Sequence, residues 1–422
     1  MKHIQKIQQF INYNELTNSL FRENCIFFDI ETTGFSAKTS SIYLIGCLYK
    51  KGSNIIIEQF FAESPTDEKE ILLHFIELLN NYKTIFSFNG LGFDLPFIKA
   101  KCNAYNIFEM PDTSLDIEDS IPTFDFFNKF QYIDIFKEVN NIKCLLKLPN
   151  YKQKTIEQFL DIKRDDKYTG GELISVYEEY VKTHDANAEE LLLLHNYEDV
   201  VGMLDLLPIL SYCEIRKGAY TIKDVATTDY TNYDGETALE MIITLQNKYT
   251  VPKRVSYQAK DFYILMNDDI TKIRVPVFEG ELKFFYPNYK DYYYLPIEDM
   301  AIHKSVASFV DKEYRQKAKA CNCYTRKTSK FLPQYGTIMN PIFKKEHKDK
   351  VSYFEWNENR PELEHDHNEH KHHNIAKRMI ERGGRRDIFL GTRECQGYVE
   401  PCVFGEDTGA YDNLDELGFG LM

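Results

Sequence analysis

Phe27-Phe28-Asp29-Ile30-Glu31-Thr32-Thr33-Gly34 closes an apolar run with two carboxylates two positions apart and a glycine turn. On a strand, side chains alternate between faces, so Asp29 and Glu31 share one face while Ile30 points into the core. Two such carboxylates repel by about 4 kcal/mol at 4 Å and an effective dielectric of about 20, unless a cation lies between them. The stretch therefore reads as a strand end that carries a divalent-metal site.

Outward from it, residues 20 to 212 alternate strand-like and helix-like segments, the pattern of an α/β domain. Cys25 to Ile30, Ser41 to Tyr49 and Asn54 to Phe61 read as successive strands in an antiparallel meander. A helix over Asp67 to Asn80, a strand over Thr84 to Phe88 and a helix from Asp94 follow, with Pro96 tolerated in the first turn of the latter. A strand over Gln131 to Phe136 carries Asp134, and two helices come after Gly170-Gly171, the last over Ala186 to Leu207.

Three more acids stand out in this part. Asp94 follows a strand and the loop Asn89-Gly90-Leu91-Gly92-Phe93, which puts it at the carboxyl edge of the sheet, where ligands bind. Asp199 shares a helix with His195, one turn earlier and on the same face, a register in which both side chains approach one metal. Asp134 lies near the same edge. Each has an ordinary alternative: an Asp after a strand is commonly a helix cap, and a lone His packs in a core. Their order along the chain is what gives them weight.

Length and composition bound the rest. At 422 residues and 43% hydrophobic content, the chain suits two or three domains. Nine cysteines without a C-x-x-C pair give no disulfide framework, so a reduced, cytoplasmic setting is expected. Residues 1–19 read as a helical segment, Met1 to Leu20 holds no continuous apolar stretch, and nowhere do about 18 apolar residues run together. Neither a secretion signal nor a membrane span is expected. A formal charge of −14 excludes coating of nucleic acid by overall charge, so local basic surface must do any such binding.

With these motifs in view, residues 20 to 212 resemble the DEDD 3′→5′ exonucleases on a ribonuclease H-like fold, and more closely the bacterial YprB-like ribonuclease H-like family. The similarity extends to Ile42-Tyr43-Leu44-Ile45-Gly46, Tyr132-Ile133-Asp134-Ile135, Lys154-Thr155-Ile156-Glu157, and Arg164 with Gly170. It implies a mixed sheet flanked by helices, with Asp29, Glu31, Asp94 and Asp199 holding two Mg²⁺ or Mn²⁺ ions and His195 as the fifth catalytic group. Many DEDD exonucleases carry Tyr four residues before the last Asp, or His five before it. Here His195 is four before it, in the His-Asn-x-x-Asp form of the YprB type. The expected partner is DNA or RNA, as single strands or ends, with Thr32, Gly34, Asn89, Gly90, Lys154 and Arg164 as its contacts. Glycine lets backbone come close to substrate, and Lys154 and Arg164 offer charge to phosphate.

Residues 213 to 354 change character. Ala238 to Leu245, Val255 to Met266 and Ile270 to Phe278 alternate apolar with polar residues, and Asn267-Asp268-Asp269 reads as a hairpin turn, so a small β-rich domain is expected. It continues through the aromatic run Phe284 to Tyr294 into a helix near Glu298 to Val310. Lys312 to Lys350 is basic and is the candidate substrate-guiding patch.

From Trp356-Asn357-Glu358-Asn359-Arg360-Pro361 through Gly383-Gly384-Arg385-Arg386-Asp387 to Met422, the chain is similar to the C-terminal part of the crRNA-processing subunit of type I-C CRISPR systems. The ferredoxin-like core that holds that family's endonuclease residues is missing, so RNA processing does not carry over. The 355–422 segment is expected to be irregular, its origin open between recombination, a gene-boundary artefact and a docking module. CRISPR effector subunits are accordingly the partner in an alternative reading, a catalytically silent nucleic-acid-binding protein. His365, His367, His370, His372 and His373 offer metal ligands or, more simply, a solvated charged run. A proofreading domain of a family B polymerase is the weaker alternative, because too little chain remains for palm and fingers.

Overall fold

The computed structural model describes residues 1–11, 13–108, 123–231, 235–334, 339–356 and 373–381. A six-stranded mixed sheet occupies the first half: Lys2–Gln9 (β1), Cys25–Thr32 (β2), Ile42–Lys51 (β3), Asn54–Phe61 (β4), Thr84–Ser87 (β5) and Gln131–Asp134 (β6). Their order is β1-β4-β3-β2-β5-β6. The four strands β1 to β4 pair antiparallel, and β5 and β6 add in parallel to β2. The expected meander is present. β2 sits in the interior of the sheet and is buried on both faces for most of its length, which is why its sequence is almost continuously apolar.

Helices cover the sheet: Glu15–Leu20 (α1), Glu68–Leu79 (α2), Asp94–Ala104 (α3), Thr123–Asn128 (α4), Ile135–Asn140 (α5), Lys143–Leu146 (α6), Gln153–Phe159 (α7), Gly170–Thr183 (α8), Ala186–Asp205 (α9) and Leu210–Lys217 (α10). The fold is α/β and ribonuclease H-like, as expected. Two boundaries differ. Lys2–Gln9 is a strand rather than part of a helical segment, because β4 offers a free edge along eight consecutive pairings and polar side chains suit an exposed edge strand. β6 stops at Asp134 because that side chain caps α5, accepting the Lys137 N–H at 3.2 Å.

The second half is β-rich. Tyr220–Thr231 (β7), Thr237–Asn247 (β8), Val255–Gln258 (β9), Tyr263–Asn267 (β10) and Ile270–Pro276 (β11) form a five-stranded sheet in the order β7-β8-β11-β10-β9. The expected hairpin joins β10 to β11, with Asp268 at φ 53° in its two-residue turn. Phe278–Phe285 (β12), Tyr292–Leu295 (β13), Met300–His303 (β14), a single helical turn Lys304–Ala307 (α11), Gln316–Lys317 (β15), Tyr324–Gln334 (β16), Phe343–Lys344 (β17) and Ser352–Glu355 (β18) complete it. β12, β16, β18 and β17 close into a small barrel, and β14-β13-β15 form a separate sheet. The helix expected near Glu298 to Val310 is largely replaced by β14. Asp299, at φ 51°, turns the chain back so that Met300–His303 pairs with β13.

One cluster of buried side chains runs through both halves. Phe27, Leu48 and Val200 belong to it together with Met241, Ile264 and Val275, so the two parts share a core rather than meeting as separate bodies. The chain beyond 355 is not wholly irregular either. Residues 373–381 are helical, and Ile375, Ala376, Met379 and Ile380 are buried in the same cluster. The tail histidines other than His373, and the motif from Gly383 onward, lie outside the described residues. No helix among those described is long and apolar enough to cross a membrane, and the described cysteines are free thiols.

A chain ending at residue 349 loses β18 and the helix at 373–381. Burial of a side chain such as Phe354, Ile375, Met379 or Ile380 is worth about 1.5–3 kcal/mol, and together these approach the whole stability of a domain, about 5–15 kcal/mol. The truncated chain should melt more than about 10 °C lower, or without a cooperative transition, when followed by circular dichroism. An unchanged melting curve would refute the shared core.

Candidate functional site

Asp29 and Glu31 leave β2 on one side of the sheet, and α9 lies against them. Asp29 pairs in register with Gly46 of β3. A Cβ on Gly46 would lie 2.1 Å from Asn196 Oδ1 and 2.8 Å from Val200, so only glycine admits α9 this close. At that distance Asn196 Nδ2 donates to Asp29 Oδ2 at 3.2 Å, while its Oδ1 accepts from Gln59 Nε2 at 3.1 Å. The same helix presents His195 and Asp199. His195 Nε2 is 3.2 Å from Asp199 Oδ2 and 3.6 Å from Glu31 Oε1, and its Nδ1 is 2.7 Å from Asp166 Oδ2.

Asp94 comes from the other direction. It is the first residue of α3, is buried, and its Oδ1 accepts the Ile30 N–H at 3.2 Å, which fixes it beside the strand that bears Asp29 and Glu31. The loop before it is braced by Asp134, whose two oxygens accept the N–H groups of Asn89 at 3.0 Å and Leu91 at 3.1 Å. Asp134 is thus a strut for the Asp94 loop and the cap of α5. Gly90 is required from within: a Cβ there would meet the Ser87 side chain at 2.5 Å.

Four of the five groups, Asp29, Glu31, His195 and Asp199, line one cleft of about 570 Å³ together with Phe88, Asn89, Phe136, Tyr151, Lys152 and Gln153, while Asp94 is held beside the strand that bears the first two. Glu31, His195 and Asp199 each offer one ligand atom, and these lie within 4.8 Å of one another. Burial pushes Asp29 and Glu31 well above the ordinary carboxylate range. Charges on Asp94, Glu31 and Asp199 add to this for Asp29, and those on Asp199, Asp94 and Asp166 for Glu31. Asp94 is pushed up to about 7, again by burial first and then by Asp134 and Asp199, against the opposing pull of its backbone hydrogen bonds. A site built mainly of carboxylate oxygens that resist holding their charges together suits a hard divalent cation.

Two expected nucleic-acid contacts have other employment. Arg164 is almost fully buried, its Nη1 2.6 Å from Asp199 Oδ1 and 3.2 Å from Glu157, its Nη2 3.5 Å from Asp166 and its Nε 3.5 Å from Glu198. Desolvation works against its charge, but Asp199 and Glu157 outweigh it and hold the guanidinium charged. Lys154 donates to Asp166 Oδ2 at 2.8 Å and to the Tyr168 carbonyl. Neither lines the cleft; Lys152 does. Thr32 donates to the Gly34 carbonyl at 2.9 Å, and Gly34 packs against Ser40, so both shape the turn after β2. Asn89 is exposed at the cleft wall.

Sequence reasoning gives Asp166 no role, yet it is the buried partner of the His195 ring. Burial raises its pKa, but Lys154, the Tyr168 N–H and His195 together hold it below the usual range. No periodic signal marks it, because it sits in the loop between α7 and α8.

Residues 26–211 match the model of the RNase_H superfamily. Residues 350–422 match that of a CRISPR-associated protein (Cas_Cas5). No curated protein matches the chain. Among solved structures, the family B DNA polymerase from the hyperthermophilic archaeon Pyrobaculum calidifontis aligns at 15% identity and a TM-score of 0.32, over 46% of this chain and 26% of its own. E. coli exonuclease I in complex with a dT13 oligonucleotide aligns at 11% identity and 0.29, over 53% and 55%. The zinc-bound form of the E. coli exonuclease I complex with single-stranded DNA gives 11% and 0.27, over 54% and 55%. The chain thus spans about half the length of the exonuclease and a quarter of the polymerase. The fold assignment stands on the sheet order and the family-model match.

Carboxylates with raised pKa values hold protons in the folded chain that they lose on unfolding. Stability from Asp29, Glu31 and Asp94 therefore falls as pH rises above the ordinary carboxylate range, for Asp94 through about 7. With divalent ions chelated, the melting temperature should rise when pH is lowered from about 8 to 6, and Asp94→Asn should flatten that rise. A slope of the opposite sign, or one untouched by the substitution, would contradict the electrostatics.

Proposed function

We propose that the chain is a divalent-metal-dependent nuclease, a 3′→5′ exonuclease on DNA or RNA ends. The observation that carries this is the meeting of Asp29, Glu31, Asp199 and His195, from one strand and one helix, at a single cleft, with Asp94 from a second helix held beside that strand. The match of residues 26–211 to the RNase_H superfamily and the resemblance to DEDD exonucleases agree with it. Asp29, Glu31, Asp94 and Asp199 would hold two Mg²⁺ or Mn²⁺ ions. Such ions supply Lewis acidity toward the phosphoryl oxygens and make water acidic enough to attack at neutral pH.

The chain's own groups do the rest. Asp166, bonded to Nδ1, fixes the His195 ring and turns Nε2 toward the cleft, where it takes the proton of the attacking water. Ile30 N–H and Asn196 Nδ2 each hold one carboxylate oxygen, so Asp94 and Asp29 keep their places without reorganising. Arg164 anchors Asp199 from its other oxygen. Lys152, at the cleft wall, meets the phosphate backbone, and Phe88, Phe136 and Tyr151 offer ring faces to the terminal bases.

Purified protein should release mononucleotides from a 5′-labelled oligonucleotide as a descending ladder with Mg²⁺ or Mn²⁺, and none with EDTA. Asp29→Ala should abolish release, and full retention of activity in that variant would sink the reading. Asp166→Asn should lower kcat by about 10–100-fold with little change in KM, and shift the pH–rate profile. A loss confined to KM would instead assign Asp166 to substrate binding.

A further inference from the structure

The arch formed by residues 304–319, which leads from β14 and supplies β15 to the sheet β14-β13-β15, has surface that the cleft does not use. Residues 304–330 carry eight Lys and Arg against only Asp311 and Glu313, in a chain of formal charge −14. Lys304, Lys312, Lys317 and Lys319 make no ion pair among the described residues. On the same arch Phe309 is 91% exposed, Val306 57% and Tyr314 48%. Val306 and Phe309 are joined by a backbone hydrogen bond, Phe309 N–H to the Val306 carbonyl at 3.1 Å. The arch is held to the sheet by Arg315, which lies 5.0 Å above the Tyr293 ring and donates to the Ala307 carbonyl. Packed against the cluster that buries Ala318, Tyr286 stacks on Tyr292 at 4.4 Å, with His303 edge-on to Tyr292 at 5.4 Å.

Single exposed apolar side chains are ordinary; several on one short arch beside lysines without counter-ions are not. Leaving Phe309 in water forgoes the burial such a side chain ordinarily gains. Lysine is depleted in protein–protein interfaces, which weighs against a protein partner. A one-turn α11 offers no amphipathic helix for a lipid surface. Ring faces between flexible cations are, by contrast, what an unpaired strand needs, since its bases are free to stack and its phosphates repeat along the chain.

We propose that the 304–319 arch is a binding surface for single-stranded nucleic acid, separate from the cleft. Bases stack on Phe309 and Tyr314, and phosphates lie against Lys304, Lys312, Lys317 and Lys319. The surface does not depend on the nuclease reading, and it is measured with divalent ions chelated, so either claim stands or falls without the other.

The test is fluorescence anisotropy of the full chain in EDTA, with fluorescein-labelled oligo(dT) and oligo(U) of about 20 nucleotides and a blunt duplex of equal length, across a salt series. Phe309→Ala should weaken single-strand binding by about tenfold. The triple variant Lys312→Glu, Lys317→Glu, Lys319→Glu should weaken it further and reduce the slope of log affinity against log salt by about 2. All these side chains are solvent-facing, and melting curves should match the parent chain. Binding and salt slope equal to the parent in the triple variant would overturn the proposal. So would a duplex bound as tightly as a single strand, or a defect seen only with anionic phospholipid vesicles.

Discussion

Buried like charge is the constraint on which the rest of the site depends. Asp29, Glu31, Asp199 and His195 line one cleft with Asp94 held beside the same strand, and burial already disfavours ionisation of Asp29, Glu31 and Asp94. Two full like charges about 4 Å apart cost about 4 kcal/mol at an effective dielectric of about 20, against about 5–15 kcal/mol for a whole domain. A chain meets that strain by letting the acids swing apart, by protonating them, or by pinning them and leaving a cation to neutralise them. Here the pins are individual and directional. Ile30 N–H holds one oxygen of Asp94, Asn196 holds one oxygen of Asp29, and Arg164 holds one oxygen of Asp199. Each pin leaves the other oxygen of its carboxylate unheld by it, and that of Asp199 lies 3.2 Å from His195 Nε2.

The pins depend on how closely α9 approaches the sheet. Gly46 lets Asn196 and Val200 sit where any side chain would be. On the helix's other flank Gly202 does the same for α7, since a Cβ there would lie 2.3 Å from Glu157 Oε1. Glu157 in turn pairs with Arg164, and Arg164 with Asp199. Squeezing one helix between sheet and neighbour thus fixes both the core and the electrostatics of the cleft. A change that lifted α9 would disturb His195, Asn196 and Asp199 together, which is why a glycine in the middle of a buried strand belongs to the site as much as the acids do.

How much of this was legible in the sequence follows from which interactions are local. The two-residue alternation of a strand puts Asp29 and Glu31 on one face, and helical spacing puts His195 over Asp199; both are found together. Asp94 was readable from the strand and loop before it. Asp166 was not, because its loop has no period and its partner is 29 residues away. Arg164 and Lys154 read as phosphate contacts because charge alone does not reveal a buried carboxylate waiting for it. β1 was hidden for a related reason: its polar residues specify little on their own, and only the free edge of β4 makes them a strand. Near Glu298 the helical pattern lost to a turn at Asp299 and a partner strand already in place.

The tail makes the same point about where a fold ends. A family-model match begins at residue 350, inside the loop that leads into β18, and the described chain shows no structural seam there. β18 pairs with β16 from Phe331–Glu355 to Gln334–Ser352, and Trp356 N–H reaches the Lys330 carbonyl at 2.8 Å. Without it, the barrel strands β16 and β17 would present unpaired backbone. Farther on, Ile375, Met379 and Ile380 enter a cluster that also contains Tyr212, Met266 and Phe27. A segment joined by accident would have to find complementary hydrogen-bonding edges and apolar volume by chance. Interiors packed at crystal-like density accept little that is not shaped for them, so the near end of the tail is part of the fold that positions the cleft.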